Sequence, residues 1–256
     1  MISKKISLRS PFPFIRGYAA SVRVARCVLK KEFPALNTIS TKSLNLLPDI
    51  SQLKKLMQSL SILDAIMSPE WSDRFYSFNS KWGECEQMGS MRNGCGDDFS
   101  ILFNSSGCFI KGFDHESAMS SWGTDGQLPW ENLLKGLPPE FLSASKEPAF
   151  SMDDISFCIW RLSTANSWSK GEFEYADDDD PDGSEHLLDI FDAKPITYQV
   201  FAQEYYEVDL AHDAIEKIYH HIPLTNELIQ SINPEITLKE LEKDIMEIGY
   251  PSTNAI

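Results

Sequence analysis

Residues 89–117 read GSMRNGCGDDFSILFNSSGCFIKGFDHES, and the way this stretch folds decides the architecture. Its apolar middle is interrupted by Asn104, Ser105, Ser106 and Gly107, a run of turn formers. A four-residue turn there predicts a β-hairpin in which Phe103 faces Cys108, Ile101 faces Ile110 and Phe99 faces Gly112. One face then offers Phe99, Ile101, Phe103 and Ile110 to a core. The other carries Ser100, Leu102, Phe109, Lys111 and Phe113. The same register puts Asp97 opposite Asp114, with Asp98, His115 and Glu116 beside them.

Facing carboxylates weaken a hairpin unless a cation, a shared proton or solvent relieves them. Arg92 is close enough in sequence to supply that charge. Two readings stand. In one, the open end frays and its charges are solvated. In the other, Asp97, Asp98, Asp114, His115 and Glu116 form a metal or acid–base site. A one-residue change of register would dissolve the second, so the solvated end is the default.

Upstream, DISQLKKLMQSLSILDAIMSP (49–69) repeats apolar residues at three- and four-residue steps, from Leu53 through Leu60 to Met67. That spacing predicts a helix, capped by Asp49 with Gln52 and stopped by Pro69. The aromatics of EWSDRFYSFNSKWGECEQ (70–87) predict a strand. Residues 117–150, with four prolines and three glycines, read as loops with short helices. DISFCIWRLS (154–163) is apolar on both faces, as an interior strand should be, and SKGEFEYA (169–176) reads as its return strand. HLLDIF (186–191) fits a short strand or one turn of helix. Beyond residue 196 the pattern turns helical. One long helix is predicted over 197–221, another after the Thr225 cap, and a last one in TLKELEKDIMEIG with a Thr237–Glu240 capping box and Gly249 at its end. Segregated strands and helices imply an α+β fold: a central, largely antiparallel sheet with one N-terminal helix and a C-terminal helical segment packed on it.

Charge divides the chain in two. Residues 1–31 hold eight basic residues and no acid, so the remainder carries 15 basic and 38 acidic residues, a net of −23. Residues 1–48 are expected to form a basic, poorly ordered arm, and 49–256 a single domain. The arm lacks the apolar core of a secretory signal, and Pro11 and Pro13 would interrupt a transit-peptide helix. So acidic a body repels nucleic acid and favours a basic partner. No apolar run is long enough to span a membrane. Five widely spaced cysteines without a CxxC pair argue against a zinc ribbon or disulfide framework and for the cytoplasm.

Other motifs are thinner. In DDDDPDGSEHLLD (177–189), Asp178, Asp180, Asp182, Gly183 and Asp189 follow a calcium-loop spacing, but Pro181 and Glu185 break it, which leaves an acidic surface turn. GCG (94–96) lacks the lysine and helix of a phosphate loop, so no cofactor and no metal is assigned. Cys95 is the best-placed nucleophile. Trp168 and the run Asp177, Asp178, Asp179 and Asp180 are the candidate partner contacts, an aromatic anchor beside a steering charge.

Three stretches taken together, residues 69–117, EPAFSMDDISFCIWR (147–161) and EIGYP (247–251), resemble a family of uncharacterised bacterial proteins. The resemblance spans about 57–251 and leaves the basic arm outside. It is similar to small acidic α+β proteins encoded beside bacterial toxins, and implies an immunity-type role: direct binding of a basic toxin domain.

Overall fold

The computed structural model describes residues 38–122 and 131–253. Helix α1 (Ile50–Met67) starts where its capping box places it. The Asp49 carboxylate accepts from the Gln52 amide, and the Gln52 side chain accepts from the Asp49 amide. From Leu56 to Ile66 the helix is buried on all sides, because the sheet lies on one side and the C-terminal helices on the other.

The sheet follows: β1 (Tyr76–Gly83), β2 (Glu86–Arg92), β3 (Asp98–Asn104), β4 (Gly107–Phe113), β5 (Phe157–Leu162) and β6 (Ser169–Lys170). These strands pair antiparallel in sequence order, a six-stranded meander. The central hairpin has the register its turn dictates, with Phe103 paired to Cys108, Ile101 to Ile110 and Phe99 to Gly112. Side chains paired across strands share a face. One row therefore runs Gly89–Ile101–Ile110–Ile159, and the next Met91–Phe99–Gly112–Phe157. The Phe157 ring occupies the space over Gly112, where a Cβ would sit 2.0 Å from it.

Helices α2 (Ser184–Leu188), α3 (Pro195–Tyr206), α4 (His212–Tyr219), α5 (Asn226–Ile232) and α6 (Glu242–Ile248) join α1 over this face. One buried carboxylate ties the layer together. Asp64 on α1 accepts from the amides of Phe75 and Tyr76, both at 2.8 Å, and from the Tyr198 hydroxyl at 2.8 Å.

The second face of the hairpin is buried as well: Leu102, Phe109 and Trp160 pack there with Phe141, Phe150 and Ile155 from the irregular segments, forming a second core. Three expectations need correction. The return strand shrinks to Ser169–Lys170, while Phe173 and Tyr175 meet edge-on beyond it. The long helix over 197–221 is two helices, broken where Glu207 turns left-handed (φ 55°). The body also begins before residue 49. Ile39 and Leu47 are in the main core, and the Thr41 hydroxyl donates to Asp182. The rest of the expected arm, residues 1–37, lies outside the described residues.

Candidate functional site

The ladder between β3 and β4 ends at the Asp98–Phe113 pair, so Asp97 and Asp114 are the next facing positions. Both are 5% exposed. Burial makes their compensation obligatory, and the loops supply it. Asn93 donates from its side-chain nitrogen to one oxygen of Asp97 at 2.5 Å. The other oxygen accepts from the His115 amide at 3.0 Å and lies 2.6 Å from His115 Nδ1. Asp114 accepts from the Glu116 amide, a tight turn that carries the chain out of the strand. Its own amide donates to the Ser156 hydroxyl, which in turn donates to the carbonyl of Asp182. The two carboxylates are thus relieved by backbone amides, by the side-chain amide of Asn93 and by the imidazole of His115. The guanidinium of Arg92, expected to do this, lies 3.5 Å over the Trp71 ring.

The candidate cluster is split by the sheet. Asp97, Asp114 and His115 come together, with one ligand atom from each within 4.8 Å of the others. Asp98 is drawn to the other face of the sheet, where it pairs at 2.7 Å with the fully buried Lys111. Glu116 is exposed, 4.0 Å from His115 Nε2. Burial pulls the His115 imidazole down, but the Asp97 hydrogen bond and the charges of Asp97, Glu116 and Asp114 outweigh it, so it titrates above the usual range. Burial pushes the Asp98 carboxyl up, Lys111 opposes this, and the neighbouring charges of Asp154 and Asp97 add to it.

The segment 177–183 meets the same end of the sheet. Gly183 adopts φ +71° and passes so close that a Cβ would lie 2.2 Å from that of Asp114. Its acids do not converge on a common centre. Asp180 accepts from the amides of Glu185 and His186, and Asp182 from Ser184 and Thr41. Asp177, Asp178 and Asp179 are exposed.

Trp168 is not exposed. It is 7% accessible, and its indole N–H donates to the Pro48 carbonyl at 2.8 Å. The exposed tryptophan here is Trp122, at 57%. It sits edge-on to both Phe113 and His115, with its N–H on Asp154 at 2.7 Å. Trp122, Asn93 and Ser156 were not singled out from the sequence; Asn93-Gly94 carries a turn signal, and the other two carry none. Cys95 is disulfide-bonded, which removes the thiol a nucleophile needs and departs from the expectation of wholly unpaired cysteines. Cys85, Cys108 and Cys158 are free.

No family model, curated protein or solved structure matches this chain. No described helix is long and apolar enough to cross a membrane.

Proposed function

We propose that the protein is a non-catalytic binding module whose acidic sheet end docks a basic protein surface, in the manner of an immunity partner masking a toxin domain. One observation carries this reading. Two acidic stretches some sixty residues apart in sequence, 97–116 and 177–185, meet at one end of the sheet, where Trp122 is exposed against His115. Converging like charges raise the local potential and steer a cationic partner. An exposed tryptophan among them is suited to a lysine or arginine by cation–π contact. Trp122 takes the anchoring role that the sequence suggested for Trp168, and Asp177, Asp178 and Asp179 keep the steering role.

Affinity capture from cells that also express the neighbouring genes is the test. A basic protein should be retained at low salt and released as salt rises. Trp122→Ala combined with Asp177→Lys, Asp178→Lys and Asp179→Lys should abolish retention. Undiminished capture by that variant would overturn the proposal.

A second reading, metal-assisted hydrolysis, rests on the approach of Asp97, Asp114 and His115. A 4.8 Å span is at the outer reach of ligands about 2.0–2.6 Å from one cation. The Asp97 oxygens are already engaged by Asn93 and His115, so a metal would have to displace those protons. Calorimetric titration with zinc and manganese, with Asp97→Asn as control, tests it; heat that is unchanged in the variant would sink it.

A further inference from the structure

At the turn end of the same hairpin, away from the acidic cluster, a groove of about 550 Å³ opens between the start of α1 and the sheet. This is within the roughly 300–1,000 Å³ range of small-molecule sites. Its floor is the last cross-strand row on the helix-bearing face, Gln87–Phe103–Cys108–Arg161, of which Gln87, Phe103 and Arg161 line the opening. Asp49 and Lys54 of α1 form one wall, and Cys85, in the β1–β2 turn, lies at the edge.

Three features of this lining point to a ligand. Among the described residues Lys54 makes no ion pair or hydrogen bond. Arg161 donates from Nε to the Ala165 carbonyl at 3.1 Å, and among the described residues its guanidinium has no carboxylate partner. Two cations without carboxylates facing one groove is unexpected in a chain with 38 acidic and 23 basic residues. The single lining carboxylate, Asp49, is committed to capping its own helix. The side-chain oxygen of Gln87 is buried with no hydrogen-bond partner. A buried acceptor left unmade costs about 1–3 kcal/mol, which a ligand N–H or O–H would recover.

We infer that this groove binds a small anionic molecule, a carboxylate or phosphate held by Lys54 and Arg161 with a hydrogen-bond donor beside it for Gln87. The site is independent of the acidic docking face. It is opposite to it in charge and lies at the other end of the strands.

The exposed thiol of Cys85 reports on occupancy. The full chain is modified with a maleimide and the Cys85 peptide quantified by mass spectrometry. Modification is carried out with succinate, with inorganic phosphate, and with neutral succinamide, each titrated to about 10 mM at constant ionic strength so that screening is held fixed. At twice its Kd, a bound anion should slow Cys85 modification about threefold. Protection by succinate alone identifies a carboxylate site, by phosphate alone a phosphate site, and by both a site for either. In Lys54→Gln and in Arg161→Gln the protection should disappear while the rate without ligand and the circular dichroism spectrum stay unchanged. Absence of protection by both anions, equal protection by succinamide, or protection surviving in Lys54→Gln would each overturn the inference.

Discussion

At the level of single residues, Trp168 and Asp97 show how burial reassigns a side chain. Trp168 reads in sequence as an aromatic available to a partner, yet its indole closes the main core and holds Pro48. Trp168→Ala should therefore lower the unfolding free energy by about 3–5 kcal/mol, the usual range for a buried tryptophan. Urea denaturation checks this, and a loss below about 0.5 kcal/mol, typical of surface sites, would contradict it. Asp97 is the reverse case: its approach to Asp114 follows from register alone, so it was legible once the turn was placed. What relieves the pair was not legible. The Asn93 side chain reaches Asp97 across the turn that Asn93-Gly94 signals, and the amides of His115 and Glu116 reach Asp97 and Asp114 because the chain turns sharply out of the strand, so no residue type marks these contacts themselves. Since the Asp97 hydrogen bond and charge lift His115 against the downward pull of burial, Asp97→Asn should lower the His115 pKa. An NMR titration of the imidazole that showed no fall would remove Asp97 as the cause.

Elements were legible where a cap or a period marks them and illegible where the backbone breaks without glycine or proline. The Asp49 cap of α1, the Thr225 cap of α5 and the Gly249 terminus of α6 all stand where the sequence places them. Strand β2, EQMGSMR, has neither strong alternation nor β-branched residues, and is held by pairing to β1 and β3 on both sides. The break between α3 and α4 is marked by nothing but Glu207, which occupies the left-handed position just past the helix where glycine is favoured. The apolar stripe runs on through Val208, so periodicity predicts one helix, while Val208 is in fact 36% exposed. A left-handed conformation costs a residue with a Cβ roughly 1–2 kcal/mol. Glu207→Gly should relieve that cost, less the added freedom of the unfolded chain, and stabilise the protein by about 0.5–1 kcal/mol. A lower thermal midpoint in this variant would show that Glu207 makes a contact worth more than its strain. The α+β class and the order of sheet then helices were thus readable from pattern. The second core was not, because its partners come from turns between 117 and 155 that carry no period.

For the whole molecule, the titration of buried groups and the excess of acidic charge act in the same direction. Burial raises Asp64 to about 6 from an ordinary 3.8, against the hydrogen bonds from Tyr76, Tyr198 and Phe75 that favour the anion. Burial likewise raises Asp180 to about 6, against the amides of His186 and Glu185. A carboxyl whose pKa is higher when folded binds its proton more tightly in the native state, so stability rises as pH falls from about 6 towards 4 and is lost in the other direction. His115, also raised, contributes stability that is complete below the unfolded value of 6.5 and is lost as pH climbs through its folded value. Protonation also reduces self-repulsion in a chain of charge −15 at pH 7 and an isoelectric point near 4.7. The urea midpoint should consequently be higher near pH 5 than at pH 8. Asp64 accounts for about 1 kcal/mol of that difference, since each pKa unit is worth about 1.4 kcal/mol and roughly one unit of its shift lies above pH 5. Asp64→Asn should remove this share of the slope between pH 4 and 6 while leaving the His115 component above it. It should also cost stability at every pH, because the amide cannot accept from Phe75, Tyr76 and Tyr198 together. A profile that is flat from pH 5 to 8, or as steep in Asp64→Asn as in the parent, would mean that the anion at position 64 is fully stabilised by its three donors and that burial exacts no proton-linked cost.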